Sequence, residues 1–420
     1  MEMHDIVIVG GGPAGMAAAV AAYDSGVTDV VIVDREESLG GILRQCIHSG
    51  FGLHKLGQEL TGPEYAATYA RQVAERNITV WSETMVLGVS PEKVVTVSSR
   101  EGVRQVQAKA VVLAMGCRER SRGALNICGT RPAGVYSAGT AQKLVNCDGQ
   151  KVGSRVVILG SGDIGLIMAR RMSLEGAKVE AVCEIMPYSG GLTRNIVQCL
   201  EDFGIPLYLS HTVAQIHGDK RVEGVTIAQV DENRNVIEST RRYIPCDTLL
   251  LSVGLIPENE LTRGAGVPMD RVTNGAKVDE NRQTEIPGIF ACGNVLQVHD
   301  LVDYVSEEAE LAGKGAAAYV QENAPAGNTV DTAPGAGVRY VLPQRIHTDS
   351  KSDVALYLRV GAPHGKVKFT VSSGDEVLTS CKRIRAVPGE MEKIVLTPEL
   401  LKKCKESVIV SLEEVAENGK

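Results

Sequence analysis

Two glycine-rich segments of this chain have the residue types and spacing that bind a dinucleotide. Residues 10–15 read Gly-Gly-Gly-Pro-Ala-Gly, and residues 160–165 read Gly-Ser-Gly-Asp-Ile-Gly. An acid follows the first glycine of each segment by 24 positions, Asp34 in one copy and Glu184 in the other. Such glycines let a pyrophosphate approach the N–H groups of a helix N-terminus, and the acid accepts hydrogen bonds from ribose hydroxyls. Two copies predict two dinucleotides and electron transfer between them. The alternative is a pair of nucleotide-binding folds that no longer bind ligands.

Hydrophobic runs stand where a Rossmann βαβ unit needs its strands. Mostly apolar residues fill positions 6–9, 30–33, 156–159 and 179–183. The pattern therefore predicts strand, glycine turn, helix, strand and acid twice. Two further buried strands, over residues 111–116 and 249–254, are predicted to return to these sheets, and they end at Gly116 and Gly254.

Size and composition are those of an ordinary soluble protein of two or three domains. The chain has 420 residues, 44% of them hydrophobic and 23% charged, with a net charge of −7. The negative charge argues against nucleic-acid binding. No apolar run approaches the roughly 20 residues that span a bilayer, and no signal-peptide pattern precedes Ile6, so we expect a cytoplasmic protein without a membrane span.

The cysteines do not form a local metal or redox motif. All ten are scattered, with no CxxC among them, which excludes the usual zinc, iron–sulfur and vicinal dithiol signatures. Most are expected to be small buried residues.

Together with later segments, these motifs resemble the two-dinucleotide flavoproteins of the pyridine nucleotide-disulfide oxidoreductase superfamily, over residues 1 to about 323. In that superfamily the first βαβ unit binds FAD and the second binds NAD(P)H. The resemblance implies that the ADP half of FAD is held by Gly10, Gly12, Pro13, Ala14, Gly15 and Asp34. Residues 84–86, ending in Val86, match the backbone contact to adenine, and Ala114 to Gly116 match the turn at the domain crossover. We also expect Arg35, Gly41 and Arg44 beside FAD.

A late segment, Pro287 to Asn294, matches the superfamily's second FAD motif. That motif normally ends Gly-Asp, whereas this chain has Gly293-Asn294. The aspartate accepts a hydrogen bond from a ribityl hydroxyl, and an amide oxygen can do the same. The helix start at Ser306 resembles the one whose backbone amides face the flavin pyrimidine ring.

For the second site the resemblance implies NAD, with NADH preferred over NADPH. The expected contacts are Gly160, Gly162, Asp163, Ile164, Gly165, Glu184 and Gly254. No Lys or Arg follows Glu184 until Arg194, and a 2′-phosphate would need a nearby cation.

The implied fold is α/β, with two nested Rossmann-like domains as in glutathione and thioredoxin reductases, plus a small C-terminal β-sandwich. We predict an FAD-binding domain over 1–118 and 270–323, and an NAD-binding domain over 119–269. A Pro-, Gly- and Ala-rich linker over 324–338 and an all-β domain over 339–420 complete the chain. From Gly337 onward there are 14 Lys and Arg against 11 Asp and Glu. That excess predicts a docking surface or, equally, an ordinary solvated face.

The redox disulfide of the superfamily has no counterpart in the sequence. Its two cysteines in the glutathione reductase branch fall at Leu43 and His48, and the thioredoxin reductase motif would need a cysteine at Leu144 as well as Cys147. The chain instead resembles a non-disulfide branch with flavoprotein subunits of hydrogen cyanide synthase, opine oxidase and proline dehydrogenase. The oxidoreductase that accompanies glycerol-3-phosphate dehydrogenase-like proteins belongs there too. This resemblance implies that the chain relays electrons to or from a flavin dehydrogenase and small electron-transfer subunits. A homo-oligomer is the other assembly that we consider.

Two residues of segment 40–52, which replaces the disulfide segment of the glutathione reductase branch, are candidate catalytic residues, and each has a structural alternative. Cys46 is a single redox thiol or a structural thiol near the flavin, the latter favoured. His48 relays protons near the flavin or is a hydrogen-bonded loop residue. Arg44 contacts phosphate or a charged substrate, or forms a surface ion pair. The rival functions are a single-cysteine NADH oxidase, peroxidase or persulfide reductase, and a flavin-binding scaffold subunit.

Overall fold

A computed structural model of the protein describes residues 2–324 and 327–415. The chain divides into two compact units. The first combines the described residues up to Cys117 with those from Pro257 onward, and the second is Arg118–Ile256. These units are described separately below.

The N-terminal part of the first unit is a sheet with helices against it. The order of its strands is β5-β2-β1-β8-β7-β6, and β1, β2, β5 and the end of β8 run parallel. Helix α2 begins at a capping box, since Thr61 and Glu64 exchange hydrogen bonds across its first turn. The elements are β1 Glu2–Val9, α1 Pro13–Asp24, β2 Val30–Val33, β3 Ser49–Phe51, β4 Leu60–Thr61, α2 Gly62–Glu75, β5 Thr79–Trp81, β6 Met85–Val89, β7 Val94–Ser99 and β8 Gly102–Leu113.

The second unit is built on a five-stranded parallel sheet in the order β11-β18-β12-β13-β14. Its buried strands are continuous apolar runs, as expected for a parallel sheet covered on both faces. A smaller sheet has the order β10-β15-β16-β17. The elements are β9 Cys117–Glu119, β10 Cys128–Gly129, β11 Val135–Ser137, α3 Ala138–Asn146, β12 Arg155–Leu159, α4 Asp163–Leu174, β13 Lys178–Glu184, α5 Thr193–Cys199, β14 Leu207–Leu209, β15 His211–His217, β16 Gly224–Gln229, β17 Arg242–Pro245, β18 Thr248–Leu251 and β19 Leu255–Pro257, with β9 and β19 crossing the unit boundaries.

After Pro257 the chain returns to the first unit and completes it. Strand β20 pairs with β8. The long helix α7 packs closely on α1, since a Cβ on Gly313 would lie only 2.2 Å from the Ala18 carbonyl oxygen. Two sheets follow, in the orders β23-β21-β28-β25-β26 and β22-β24-β27, around a shared apolar core. The elements are α6 Glu260–Gly264, β20 Ile289–Ala291, α7 Val302–Val320, β21 Thr329–Pro334, β22 Val338–Leu342, β23 Arg345–His347, β24 Val354–Val360, β25 Val367–Ser373, β26 Glu376–Arg383, β27 Glu392–Leu396, α8 Pro398–Leu401 and β28 Val408–Glu414.

The expected fold class is confirmed, since two Rossmann-like sheets and a C-terminal pair of β-sheets are present. The linker prediction for 324–338 is wrong over Thr329–Pro334. This segment is strand β21, which pairs with β23 and β28. Its Pro and Gly content misled because Pro334 stands at the end of the strand, where a missing N–H is tolerated. Residues 325 and 326 of the predicted linker lie outside the described residues. The finer domain boundaries stay a prediction.

Within the described part of the chain, no helix combines the length and apolarity needed to cross a bilayer.

Candidate functional site

The glycines of the first segment are required by close backbone packing. Gly10 has φ +107°, and a Cβ there would lie 2.5 Å from the Ala114 carbonyl oxygen. A Cβ on Gly15 would lie 1.8 Å from the Gly10 carbonyl oxygen. A side chain at either position would clash with the backbone, so only glycine fits there. The two glycines therefore let the start of helix α1 lie directly over the ends of β1 and β8.

Gly12, between these two glycines, faces open space. Nothing lies within 4 Å of the position that its Cβ would take, and among the described residues no side chain caps helix α1. Pro13 opens the helix and Ala14 is buried behind it. Gly41 lies beside this opening, because its Cβ would be 3.1 Å from the Gly12 Cα. An uncapped helix N-terminus beside free space fits a pyrophosphate.

Asp34 is held against the turn at the end of β2. Its carboxylate accepts the N–H of Gly11 at 2.5 Å and the N–H of Glu36 at 2.7 Å. It is only partly buried, so lone pairs remain for ribose hydroxyls. The Arg35 side chain is 69% exposed, and its Nε lies 3.8 Å from the Glu36 carboxylate, so its contact with FAD stays a prediction.

The other expected FAD-side residues line the same edge of the sheet. The N–H of Thr84 donates to the Asp34 carbonyl, and this places buried Val86 on the next strand. The N–H of Ala114 donates to the Val9 carbonyl at 2.9 Å. Gly116 has φ +73°, and its carbonyl accepts the N–H of Glu258 at 3.0 Å.

The late motif lies against the first turn of α1. Gly293 has φ +73°, and a Cβ there would lie 2.8 Å from the Ala14 Cβ. The Asn294 side-chain oxygen already has a protein partner, because Oδ1 accepts the backbone N–H of His299 at 3.0 Å. Its Nδ2 lies 3.5 Å from the Cys117 Sγ. The amide group therefore has its oxygen turned toward the following loop.

A buried charged network behind this motif is the feature that the sequence did not predict. Glu308, fully buried on α7, accepts the Gly293 N–H at 2.9 Å, the Gln297 amide at 2.9 Å and the Arg282 Nε at 3.3 Å. The His299 Nε2 lies 3.4 Å from the Glu308 Oε2, the oxygen that accepts the Gly293 N–H. A buried carboxylate needs such partners. The sequence signal that could have found it is a glutamate on the apolar face of a helix.

Ser306 is buried at the start of α7 and is already engaged. Its hydroxyl lies 2.7 Å from the Tyr65 hydroxyl, and burial raises the pKa of that phenol. The Ser306 side chain therefore ties α7 to α2.

Cys46 and His48 contact backbone carbonyl groups and an aromatic ring, and their catalytic roles stay predictions. Cys46 is partly buried, its Sγ lies 3.3 Å from the Ile42 carbonyl, and its own carbonyl accepts the N–H of Gly62. The His48 ring lies on Phe51 at 4.9 Å, and its Nδ1 is 3.1 Å from the Ser49 carbonyl. Arg44 is exposed, and its stem passes Gly40.

In the second unit, the second glycine segment repeats the geometry of the first. Gly160 has φ +98°, and a Cβ there would lie 1.9 Å from the Ser252 carbonyl oxygen. At Gly165 the Cβ would lie 2.7 Å from the Gly160 carbonyl oxygen. Gly162 precedes helix α4, which no side chain caps among the described residues. Ile164 is half-buried in the first turn of α4.

Glu184 is held against its turn as Asp34 is, with three hydrogen bonds instead of two. It is 8% exposed, and one oxygen accepts both the N–H and the hydroxyl of Ser161, at 2.9 and 2.7 Å. The other accepts the N–H of Met186 at 3.0 Å.

Asp163 and Gly254 complete the expected set at the second site. The Asp163 carboxylate holds the following loop, accepting the N–H of Leu192 at 2.8 Å and the Asn195 amide at 2.6 Å. Gly254 is exposed with φ +98°. Apart from this set, the second unit has a cavity of about 300 Å³ lined by polar and apolar side chains, among them Glu119, Arg122 and Tyr136.

Two uncapped helix starts beside glycine turns, each with an acid on the next strand, define a protein with two dinucleotide-binding folds. Residues 4–316 match the family of pyridine nucleotide-disulphide oxidoreductases. The chain belongs to this family, whose members bind FAD and NAD(P), and it is an FAD-dependent oxidoreductase.

The chain is also similar to particular members. An opine oxidase subunit of Agrobacterium tumefaciens strain Ach5 is 25% identical over 338 residues, covering 75% of this chain and 65% of that protein. The HcnB subunit of hydrogen cyanide synthase from Pseudomonas protegens is 26% identical, covering 74% and 69%. Thioredoxin reductase of T. acidophilum has a TM-score of 0.63 at 25% identity, covering 77% of this chain and 99% of that structure.

Proposed function

We propose that this protein exchanges hydride between NAD(H) and FAD, with FAD at the 10–34 unit and NAD at the 160–184 unit. The observation that carries this is the repeated geometry of acid and turn. Asp34 accepts the N–H of Gly11, and Glu184 accepts the N–H of Ser161. Bound FAD and NAD supply the hydride chemistry, and the protein supplies binding, orientation and electrostatics.

We propose that NADH is the preferred nucleotide, because the acid at Glu184 suits a ribose 2′-hydroxyl rather than a phosphate. One observation favours NADPH as a second candidate. The Arg242 guanidinium lies 4.6 Å from the ring of Tyr208, and Tyr208 pairs in register with Cys183, next to Glu184. An Arg242→Gln variant would lose activity with NADPH selectively if this cation binds a 2′-phosphate, and would leave the NADH to NADPH ratio unchanged in our proposal.

The proposed reaction uses no redox disulfide. Leu43, at one of the family's cysteine positions, is a buried apolar side chain, and His48, at the other, packs on Phe51. The Cys46 Sγ lies against a backbone carbonyl, and no disulfide bond joins it to another cysteine among the described residues. Electrons are thus proposed to leave the flavin directly for an outside acceptor.

We further propose that this acceptor or donor is a separate component of a flavin dehydrogenase, one that acts on a glycerol-3-phosphate, amino-acid or hydroxy-acid type of substrate. Two of the relatives, from opine oxidase and from hydrogen cyanide synthase, are by name subunits of larger enzymes. The C-terminal β-sheets of this chain lie beyond the residues that match the family, so they are available for a function of their own.

Dye reduction tests the proposal against its rivals. The purified protein should be yellow and should reduce an artificial electron acceptor with NADH. Cys46→Ser should retain most of that activity, as should the control Cys128→Ser at an exposed thiol. Loss of turnover in Cys46→Ser alone would favour the single-cysteine oxidase, peroxidase or persulfide reductase. Bound FAD that no pyridine nucleotide bleaches would favour a scaffold role.

A further inference from the structure

His299 stands between two oxygen acceptors in the interior of the first unit. Its side chain is 1% exposed. Nδ1 lies 3.3 Å from the Asn294 Oδ1, and Nε2 lies 3.4 Å from the Glu308 Oε2. Nδ1 therefore has an oxygen partner, whereas Nε2 faces the Glu308 carboxylate without making a hydrogen bond.

The orientation of Asn294 makes this arrangement unambiguous. The backbone N–H of His299 can only donate, and it lies 3.0 Å from the Asn294 Oδ1. The amide oxygen, not its nitrogen, is thus on the histidine side. The Glu308 carboxylate is fixed by Gly293, Gln297 and Arg282 and has no freedom to turn away.

A neutral imidazole that donates from Nδ1 to Asn294 leaves Nε2 without a proton opposite the Glu308 carboxylate, whereas an imidazolium places a second N–H and a positive charge there. Burial nevertheless lowers the pKa of His299. Glu308 on α7 and Asp300 on the same loop raise that pKa, while Arg359 on β24 and Arg282 before β20 lower it. These four charges already form two ion pairs, Arg282 with Glu308 and Arg359 with Asp300, so the surroundings are balanced when the ring is neutral.

We propose that His299 takes up one proton when the flavin is reduced and releases it when the flavin is reoxidised. Hydride transfer brings two electrons and one proton to the flavin and adds a negative charge. A second proton, from solvent, binds the unprotonated nitrogen of His299 and compensates that charge. The proposal rests on the proposed function, since the Asn294 Oδ1 that faces the His299 ring belongs to the segment that matches the family's second FAD motif.

The pH dependence of the flavin reduction potential tests this. One additional proton per two electrons corresponds to about 30 mV per pH unit. We expect the wild-type potential to fall more steeply with pH than that of His299→Gln, by about this amount. The matched control His364→Gln, at an ion pair with exposed Glu414, should follow the wild type. Parallel slopes in wild type and His299→Gln would overturn the proposal.

Nitrogen NMR of the wild-type imidazoles gives a second measurement that needs no variant. The His299 ring should be neutral in the oxidised protein and protonated after anaerobic reduction with dithionite. A ring neutral in both states would overturn the proposal even if His299→Gln failed to fold. Dithionite reduces the flavin without NADH, so a failure of NADH to act would count against the proposed function and not against this inference.

Discussion

The carboxylate of Glu308 accepts a hydrogen bond from the backbone N–H of Gly293 at 2.9 Å. This bond ties helix α7 to the turn that matches the family's late FAD motif. It also explains why a charged residue is fully buried on a helix whose later buried positions, from Ala309 to Ala317, are all alanine and glycine.

Removing Glu308 should therefore lower the free energy of unfolding much more than removing its partly exposed neighbour Glu307. Glu308→Ala leaves the Arg282 cation buried without its partner, which costs about 3–5 kcal/mol. Glu307→Ala, the control, loses only a partly exposed ion pair with Lys393, worth about 1 kcal/mol or less. Urea denaturation should show a far lower midpoint for Glu308→Ala. Equal midpoints for the two variants would contradict the role given to this carboxylate.

The open space at Gly12 predicts a substitution that affects the ligand and not the fold. Gly12→Ala meets no protein atom, so the thermal midpoint of the apoprotein should not change. The added methyl group occupies the proposed pyrophosphate space, and FAD should bind at least about tenfold more weakly, or about 1.4 kcal/mol. Gly88→Ala, also without neighbours within 4 Å, serves as the control for fluorescence titration with FAD. Unchanged FAD affinity in Gly12→Ala would place the cofactor elsewhere.

Both glycine turns could be predicted from the sequence because their geometry is local. Gly10 and Gly160 need positive φ. Asp34 and Glu184 each follow the first glycine by 24 positions, and each accepts a backbone N–H of its glycine turn. The Arg282–Glu308–His299 network could not be predicted, since it depends on how a loop, a strand end and a helix pack. Strand β21 was missed for a similar reason. Its partners, β23 and β28, decide its conformation although the surrounding segment 324–338 is rich in Pro, Gly and Ala.

Loss of the acid in the second unit should weaken NADH use. Hydrogen bonds to a charged group contribute about 1.5–3 kcal/mol, so Glu184→Gln should lower kcat/KM for NADH by roughly 10- to 100-fold. FAD content should be unchanged. The control is Glu180→Gln. Glu180 lies on the same strand as Glu184 and forms ion pairs with Arg155 and Lys178. An equal effect of both variants in steady-state kinetics would argue against a ribose contact at Glu184.

A buried ion pair predicts how stability of the first unit depends on pH. The hydrogen bond to Glu280 raises the pKa of His347, and burial raises the pKa of the neighbouring Asp279 to about 6. A raised histidine pKa stabilises the fold fully below about pH 6.5, and this stabilisation is lost as pH rises through the folded value.

The wild-type thermal midpoint should accordingly fall as pH rises above about 6.5. His347→Gln should flatten this part of the profile, and His364→Gln should not. A midpoint that rises over the same range in the wild type, or an unchanged slope in His347→Gln, would show that the His347–Glu280 pair does not govern it.

An anaerobic titration of the purified flavoprotein with NADH tests the central claim most directly. Hydride exchange without a disulfide predicts that one NADH per FAD completes the bleaching of the flavin absorbance, and that NADPH bleaches it much more slowly. An end-point at two NADH per FAD would reveal a second two-electron acceptor in the protein. That result, or no bleaching at all, would contradict the account.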